Sequence, residues 1–307
     1  MYFDVHKKII VLDPDPIKNV IQIDSADWQL LSLDIPTTPN SFIFQAYPLE
    51  DEAQRAVVKI CRYHSGETSK KSKRRAARFE REIEALKKIK ASGILNIAVD
   101  LFADDKYEIH TTAPTHPKTS FRFYVMEKAD RDLASYLAGS SIGEQQRLLI
   151  CASLLQSLKQ LHTLDIYHRD IKPANILLFG DQWKLADLGL AAFRNEDVEL
   201  DLPNERIGPI GWLSPEAVNK ACSNRSHPKF DADIDISDAS DIFQLGKLFW
   251  YIIQGSVPTG QMDITDCKLP ALFTEIISPM LQYSKERRAP INRLEVALHP
   301  ILKRYGI

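Results

Sequence analysis

The stretch YHRDIKPANILL, residues 167–178, constrains the fold of this chain more than any other feature. Five polar or charged side chains lie between positions 168 and 175, and an apolar run follows them at once. Pro173 prevents a regular helix from continuing through the charged part and makes it stiff. The apolar run meets a second one, WKLADLG, across the turn GDQ, which predicts a hairpin of two short strands. We therefore expect a rigid polar loop held by structured neighbours, which suits a catalytic role.

Composition excludes several classes of protein. The chain has 307 residues, of which 26% are charged and 44% hydrophobic, with a formal net charge of -2. These values do not fit a disordered, fibrous or nucleic-acid-coating protein, so we expect no nucleic-acid partner. Its four cysteines lie far apart and form no CxxC pair, which argues against a zinc site or a disulfide framework.

The sequence also predicts a location. No segment reaches the roughly 18 uncharged apolar residues that a membrane span requires. The start, MYFDVHKKIIVLDPDP, has no long apolar core after its lysines. We therefore expect a cytoplasmic protein without membrane contact.

The character of the chain changes along its length. Between residues 28 and 60, short runs rich in Phe, Ile and Val are separated by Pro, Asn and Asp, which predicts neighbouring strands. After residue 145 apolar residues recur at helical spacing, and DIFQLGKLFWYII is apolar on nearly all sides, as in a helix at the centre of a core. We expect an α+β fold with an N-terminal extension at 1–27, a small β-rich lobe with one long helix at 28–127, and a larger helical lobe at 128–307.

HRDIKPAN, followed twelve residues after its asparagine by DLG, resembles the catalytic loop and the metal-binding DFG motif of protein kinases. The resemblance extends from about Trp28 to Leu302. The chain resembles eukaryotic-like serine/threonine kinases of bacteria or phages. This resemblance implies the two-lobed protein-kinase fold, with ATP and magnesium as cofactors.

The resemblance also implies roles for residues in and after the loop. Asp170 accepts or orients the proton of the substrate hydroxyl, and Lys172 steadies the transferring phosphate. Asn175 and Asp187 hold magnesium, a cation that prefers oxygen ligands. Arg169 precedes the base and is the arginine that receives a phosphorylated side chain in regulated kinases. The alternative is a polar surface loop whose Asp and Asn only form turns.

A lysine and a glutamate of the first lobe belong to the same implied machinery. Lys59 in AVVKI matches the strand lysine that binds ATP phosphates, although a lysine at a strand end often only extends to solvent. Its family partner is a helix glutamate. In RFEREIEALKKI, Glu82 borders the apolar stripe of the helix, whereas the other two glutamates point away. Glu82 is therefore the expected partner of Lys59.

FYVMEKADRDL resembles a last strand that runs into the interlobe hinge of a kinase. The resemblance places Met126 beside the adenine pocket and assigns adenine hydrogen bonds to backbone groups of Glu127 and Ala129. Asp132 would reach the ribose, and Leu177 is a further expected nucleotide contact. Taken alone, Met126 is an ordinary core methionine.

Two further matches concern the support of the helical lobe. Glu216 in GWLSPE corresponds to the glutamate of the APE motif, and Arg288 corresponds to its arginine partner. Asp241 matches the aspartate that holds the catalytic-loop backbone. Without the family, Asp241 reads as a helix N-cap, and both interpretations can hold together.

The expected phosphate-binding loop departs from the family pattern. In IPTTPNSFIFQA, Pro36, Thr38 and Ser41 take the positions of the three glycines of G-x-G-x-x-G, so backbone N–H groups approach a phosphate less easily. Prolines lack that N–H altogether. Side chains of Thr37, Thr38, Asn40 and Ser41 could supply hydrogen bonds instead. We expect weaker ATP binding.

The activation segment differs from the family pattern in its charged and hydroxyl residues. No serine, threonine or tyrosine lies between Asp187 and Ser214, so the usual phosphorylation switch is missing. One or two of four acids could take the place of the phosphate opposite Arg169, or all of them could merely solvate the loop. These acids are Glu196, Asp197, Glu199 and Asp201. Pro209 replaces a threonine that many kinases place near the base, and residues 219–237 predict a lengthened surface loop.

These features favour a serine/threonine protein kinase that transfers the γ-phosphate of ATP to a protein hydroxyl. The lysine two positions after Asp170 favours serine/threonine over tyrosine specificity. One alternative is a pseudokinase that binds nucleotide without transfer, which would fit the missing glycines. The other is a small-molecule kinase of the same fold, but such enzymes usually lack that lysine and the pair of Glu216 and Arg288.

Overall fold

The computed structural model describes the chain except residues 24, 34–37, 116, 195–199, 224–232 and 261. The chain folds into two compact units. The first contains Met1–Lys90 and Val99–Lys128, and the second contains Ala91–Ala98 and Ala129–Ile307. The expected division at residue 127 therefore differs in one respect, because a short segment before residue 99 belongs to the second unit.

The first unit is built on a six-stranded antiparallel sheet with the order β3-β4-β5-β6-β8-β7. Its inner face carries apolar side chains such as Leu30, Val58 and Phe123, all at most 1% exposed. One long helix, α1 (Lys70–Ser92), accompanies the sheet. The strands are β1 (Tyr2–Asp4), β2 (Ile9–Val11), β3 (Val20–Ile23), β4 (Ala26–Ser32), β5 (Ser41–Pro48), β6 (Ala56–Cys61), β7 (Leu101–His110) and β8 (Lys118–Glu127).

The N-terminal segment is part of this unit's core. β1 and β2 form a hairpin, and β3 is the edge strand of the main sheet. Phe3 packs edge-on against Phe121, with ring centroids 5.0 Å apart, and Ile21 is fully buried. The expected boundary at 27/28 falls inside β4, and the segment that we expected to pack on or near the first lobe supplies β3 to its main sheet.

Helices dominate the second unit. They are α2 (Leu133–Gly139), α3 (Glu144–Thr163), α4 (Pro215–Cys222), α5 (Asp238–Gln254), α6 (Pro270–Leu272), α7 (Ser278–Met280) and α8 (Ile291–Arg304), with a π-helical turn (Phe273–Ile277) joining α6 to α7. Its short strands are β9 (Arg131–Asp132), β10 (Ile166–Tyr167), β11 (Ile176–Phe179), β12 (Gln182–Leu185) and β13 (Ala192–Phe193). β11 and β12 pair antiparallel, which is the hairpin that the two apolar runs predicted.

Helix α5 lies at the centre of this unit. Leu245, Leu248, Phe249 and Ile252 are fully buried, as its apolar sequence predicted. A side chain at Gly246 would come within 2.8 Å of the Cβ of Met280, so glycine lets α5 approach the chain after the π turn closely. The helix is thus a rigid support inside the core.

Two expectations about this unit need correction. The N-cap of α5 is Ser237, whose side chain and that of Ser240 form a capping box, so Asp241 is not the cap. Asp241 lies one turn inside the helix, and Ser237 at the N-cap position donates its backbone N–H to Ser240 Oγ at 3.0 Å. Residues 219–222 belong to helix α4, so the lengthened loop begins later than expected, and 224–232 lie outside the described residues.

In the part of the chain that the structure describes, no helix combines the length and apolar character needed to span a membrane.

Candidate active site

Two side chains of the polar loop bind the carboxylate of Asp170. Its Oδ2 accepts hydrogen bonds from Lys172 Nζ at 2.9 Å and from Asn175 Nδ2 at 2.7 Å. Asn175 also donates to the backbone oxygen of Asp170 at 2.9 Å. A short 3-10 turn, Pro173–Asn175, creates this geometry by folding the asparagine back, and Pro173 occupies its first position. The carboxylate is held in one orientation from two sides.

The backbone of the loop is bound from below by helix α5. Asp241, fully buried, accepts from the backbone N–H groups of His168 at 2.8 Å and Arg169 at 2.7 Å. Its Oδ2 also lies 3.0 Å from Nε2 of His162. Asp241 therefore holds the loop, as the family resemblance implied. Gln244, one turn further along, binds the same loop, and the sequence analysis missed it.

The environment of Asp170 makes the carboxylate more basic than usual. Burial is the main cause that raises its pKa, Lys172 opposes the increase, and the charge of Asp187 adds to it. A raised pKa suits a group that must accept a proton during a reaction.

Asp187 begins the activation segment two residues after the end of β12. It is exposed and has φ +58°, a left-handed conformation that is uncommon outside glycine. Such backbone outliers cost about 1–3 kcal/mol and concentrate at functional sites. The conformation is set where the strand ends and the chain turns.

The donor chemistry of Asn175 and Asp187 fits magnesium. Asn175 uses Nδ2 toward Asp170, which leaves its Oδ1 as the atom suited to a cation. Asp187 offers a carboxylate. Among the described residues there is no group of three or more His, Cys, Asp or Glu side chains that could hold a metal. Mg²⁺ usually takes one or two protein oxygen ligands together with substrate phosphates, and an amide oxygen and a carboxylate are groups of that kind.

Arg169 is paired with one of the four acids of the activation segment. Its guanidinium binds Asp201 through both terminal nitrogens, at 2.6 Å and 3.1 Å, and its Nε donates to the backbone oxygen of Leu190 at 2.6 Å. Each side chain of the pair is 4% exposed. Lys220 Nζ lies 3.4 Å from the same carboxylate. The other three acids, Glu196, Asp197 and Glu199, lie outside the described residues.

A second buried ion pair lies deeper in this unit. Arg288 binds both oxygens of Glu216, at 2.8 Å and 3.2 Å, and Ser240 Oγ donates to Glu216 at 2.6 Å. Burial disfavours the charged carboxylate, yet hydrogen bonds from Arg288 and Ser240 outweigh it and lower the pKa of Glu216. The pair expected from the sequence is therefore present, and it joins residues 72 positions apart.

In the first unit, Lys59 and Glu82 form the expected pair. Lys59 Nζ lies 2.8 Å and 3.0 Å from the two oxygens of Glu82, which is 2% exposed. Tyr124, opposite Lys59 in the register of β6 and β8, donates its hydroxyl to Glu82 at 2.9 Å. The sequence did not single out Tyr124, because its place beside Glu82 depends on the pairing of β6 with β8.

The chain is also similar to known proteins. The protein kinase domain family matches residues 43–294. This chain belongs to the protein kinase family. The serine/threonine-protein kinase cds1 of Schizosaccharomyces pombe is 28% identical over 290 residues, covering 91% of this chain and 56% of the relative.

Two other relatives are also protein kinases. The probable serine/threonine-protein kinase fhkA of Dictyostelium discoideum is 26% identical over 235 residues, covering 70% of this chain and 37% of the relative. The dual specificity protein kinase TTK of Mus musculus is 29% identical over 137 residues, covering 44% of this chain and 16% of the relative. The kinase chain therefore spans only 16% to 56% of the length of these three relatives.

The expected nucleotide contacts at the kinase hinge are already engaged in local structure. Glu127 donates its backbone N–H to the backbone oxygen of Asp100 at 3.1 Å, and its side chain accepts from the N–H of Asp100 at 2.7 Å. Asp132 caps α2 by accepting from the N–H of Ser135 at 3.0 Å. Three further expected contacts are half-buried: Met126, Ala129 and Leu177. Leu177 of β11 lies opposite Asp132 of the neighbouring strand β9.

The phosphate-binding loop of this kinase is partly described. Thr38 Oγ1 donates to the backbone oxygen of Ser41 at 2.6 Å and accepts from its N–H at 3.1 Å. The two hydroxyls lie 2.8 Å apart. These side chains therefore bind each other and the turn, which differs from their expected use toward phosphates. Pro36 and Thr37 lie outside the described residues, and Asn40 is exposed.

Proposed function

We propose that this protein kinase transfers the γ-phosphate of ATP to a serine or threonine hydroxyl of a protein substrate, with Mg²⁺ as cofactor. The observation that carries the proposal is Asp170, a buried carboxylate fixed by Lys172 and Asn175 on a loop that helix α5 holds. The pair of Lys59 and Glu82 supports it, because phosphoryl transfer depends on placing cations against phosphates.

Each residue has a definite part in the proposed transfer. Asp170 takes the proton of the substrate hydroxyl, whose oxygen bonds to the γ-phosphorus as the bond to the β–γ bridging oxygen breaks and ADP leaves. Lys172 neutralises charge on the phosphoryl group as it moves. Lys59, oriented by Glu82, binds the phosphates of ATP. Asn175 and Asp187 would hold Mg²⁺, which neutralises phosphate charge when it is bound.

The proposed choice of serine or threonine rests on Lys172. The lysine lies two positions after Asp170, a spacing found in serine/threonine kinases, and it contacts the carboxylate at 2.9 Å. Its ammonium can bridge the base and a phosphate, because it has three donors and is 30% exposed at the side chain.

We propose that Asp201 takes the place of a regulatory phosphorylated residue in this kinase. A phosphorylated residue in the activation segment would bring charge to Arg169, but no hydroxyl or phenol side chain lies between Asp187 and Ser214. Asp201 already binds Arg169 through two hydrogen bonds. The kinase is therefore expected to be active as synthesised, and phosphatase treatment should not lower its initial rate.

One observation favours the second candidate, a pseudokinase. The hydroxyl groups of Thr38 and Ser41 bind each other, so they are not poised to replace the missing glycines of the phosphate-binding loop. Such a protein would bind ATP without transferring phosphate. The small-molecule kinase fits less well because the pair of Glu216 and Arg288 is present.

The deciding experiment incubates purified protein with γ-labelled ATP, Mg²⁺ and a mixture of protein substrates, followed by mapping of the label by mass spectrometry. Label on serine or threonine supports the proposal, and Asp170→Asn serves as the inactive control. Removal of Mg²⁺ with EDTA should stop transfer. Bound but intact ATP would identify a pseudokinase, and label on a small molecule alone would identify the other alternative.

A further inference from the structure

Gln244 of helix α5 lies beneath the catalytic loop and is 2% exposed. Its Oε1 accepts from the backbone N–H of Ile171 at 3.0 Å, and its Nε2 donates to the backbone oxygen of Arg169 at 3.2 Å. These two residues flank Asp170. One side-chain amide therefore binds the chain on both sides of the residue in the base position.

Gln244 acts together with Asp241 on the same helix face. Residues three apart on a helix point the same way, and α5 is buried along most of its length. Asp241 binds the N–H groups of His168 and Arg169, and Gln244 binds the next carbonyl and the N–H of Ile171. Helix α5 therefore supplies partners for four backbone groups of residues 168–171, which couples the loop to the most rigid part of the unit.

The backbone conformation at Arg169 requires such support. Its φ is +65°, in the left-handed region that non-glycine residues rarely adopt. A conformation of this kind persists only where surrounding contacts enforce it. Asp241 holds the N–H of Arg169 and Gln244 holds its carbonyl. Because that carbonyl belongs to the peptide leading into Asp170, releasing it frees the peptide to rotate.

The activation segment closes over the same hydrogen bond. Gly208 has φ +108°, and a Cβ there would lie 3.0 Å from both the oxygen of Arg169 and Nε2 of Gln244. Only glycine allows so close an approach of backbone to this bond. The bond between Gln244 and Arg169 therefore lies between helix α5 and the backbone of Gly208, and both of its residues are buried.

We propose that Gln244 is a positioning residue for phosphoryl transfer, whose amide fixes the peptides on either side of Asp170 and thereby the direction of its carboxylate. The inference rests on the proposed function of Asp170 as the base. Gln244 does not touch the reacting atoms and acts through the loop backbone. Its loss should lower kcat and leave nucleotide binding largely unchanged, since small displacements of a catalytic group reduce the rate steeply.

The test compares steady-state kinetics of wild type and Gln244→Met, which keeps the side-chain length and removes both hydrogen bonds. We expect kcat to fall by about 10- to 100-fold, with a change in KM for ATP below about threefold. Gln244→Glu keeps an acceptor for Ile171 and, when charged, loses the donor to Arg169, so its kcat should lie between those of wild type and Gln244→Met.

Two controls separate positioning from loss of stability. Gln254→Met removes an amide near the end of the same helix, bonded to the backbone oxygen of Asp266, and should keep the wild-type kcat. Leu298→Ala makes a cavity in helix α8, where Leu298 is 3% exposed, and lowers stability away from the loop. If Gln244→Met and Leu298→Ala lose Tm and kcat in the same proportion, the inference is overturned.

The remaining outcomes are also distinct. If Gln244→Met does not fold, Gln244→Glu carries the test, and a wild-type kcat in that variant contradicts the inference. A fall in kcat accompanied by an equal or larger rise in KM for ATP would contradict it as well. A wild type that transfers no phosphate contradicts the proposed function itself, whereas an active wild type with an unchanged Gln244→Met contradicts only the role of Gln244.

Discussion

At the scale of single residues, two aspartates of similar sequence context have different surroundings. Asp170 is buried and bound by Lys172 and Asn175, whereas Asp187 is exposed at the start of the activation segment. Sequence motifs predicted both residues, but not the raised pKa of Asp170, because burial depends on packing from helix α5. The two carboxylates should therefore respond differently to neutralisation.

Asp170→Asn should reduce kcat by about 100- to 10,000-fold while leaving ATP binding nearly intact, because only the proton acceptor is lost. Asp187→Asn should also weaken Mg²⁺-dependent ATP binding, because a cation ligand is lost. Calorimetric titration with ATP, with and without Mg²⁺, and measurement of kcat distinguish the two. Equal activity of wild type and Asp170→Asn would rule out the assigned base.

The pH dependence should report on Asp170. Burial raises its pKa, and a protonated carboxyl cannot accept the substrate proton, so kcat should fall with decreasing pH at a value above the range of an ordinary aspartate. Lys172 opposes this shift, so Lys172→Met should move the acid limb to higher pH. Measurement of kcat against pH at saturating ATP gives the position of this acid limb. Lys159→Met is the control: it breaks an ion pair with Glu295 outside the site and should leave the pH of the acid limb unchanged. An identical limb in Lys172→Met and wild type would contradict the assignment.

At the scale of elements, the site depends on registers between neighbouring strands and on helix faces. Helical periodicity was sufficient to select Glu82 among three glutamates, because the residue next to the apolar stripe of α1 is turned inward with it. Periodicity could not select Tyr124 or Gln244. Their roles depend on the pairing of β6 with β8 and on the placement of α5 under the loop, which are long-range contacts.

Lys59→Met and Glu82→Gln should disturb one interaction between β6 and α1, so their combined loss in kcat/KM for ATP should be clearly less than the sum of the single losses. A double-mutant cycle measures the coupling. The matched control pairs Lys59→Met with Glu80→Gln, since Glu80 binds Arg122 instead. Additive losses for Lys59 and Glu82 would show that the pair is not used with ATP.

Asp201→Asn should lower kcat several-fold, because Arg169 loses the charge that orders the activation segment. A variant with Glu196→Gln, Asp197→Asn and Glu199→Gln removes more charge and should be less affected if the buried pair decides activity. High salt should have little effect, since the pair is 4% exposed on each side. Equal loss in both variants would mean that the total charge of the segment matters rather than this pair.

At the scale of the molecule, local patterns predicted the order of strands and helices, and motifs predicted the kinase fold, which the family match confirms. Local patterns could not predict that β3, within residues 1–27, is an edge strand of the main sheet, because its pairing with β4 follows from a tertiary arrangement. The prediction of Asp241 as the N-cap of α5 was wrong for a related reason. Asp and Ser are both favoured at helix N-caps, so residue type could not decide between Asp241 and Ser237; in the structure Ser237 is the N-cap and Asp241 binds the catalytic loop.

The ion pair of Glu216 and Arg288 should stabilise the second unit as a whole. Arg288→Met leaves a buried carboxylate without its partner, so the free energy of unfolding should fall by about 3–5 kcal/mol. The stability contributed by Glu216 is present above its unfolded pKa and is lost as pH falls through its lowered folded pKa. Urea unfolding of wild type and Arg288→Met across acidic pH measures both effects. Arg287→Met, at an exposed neighbouring arginine, is the control, and equal stability of the two variants would contradict the prediction.

The place of β3 and β4 bears on how a shortened chain would behave. The family match begins at residue 43, inside β5, yet two strands precede it in the same sheet. A chain cut there would leave the backbone groups along one side of β5 unpaired. It would also remove Leu30 and Ile21 from the core, so that the apolar side chains around them would become exposed. A bare edge strand of this kind is a template for pairing with other copies, so such a fragment would tend to aggregate.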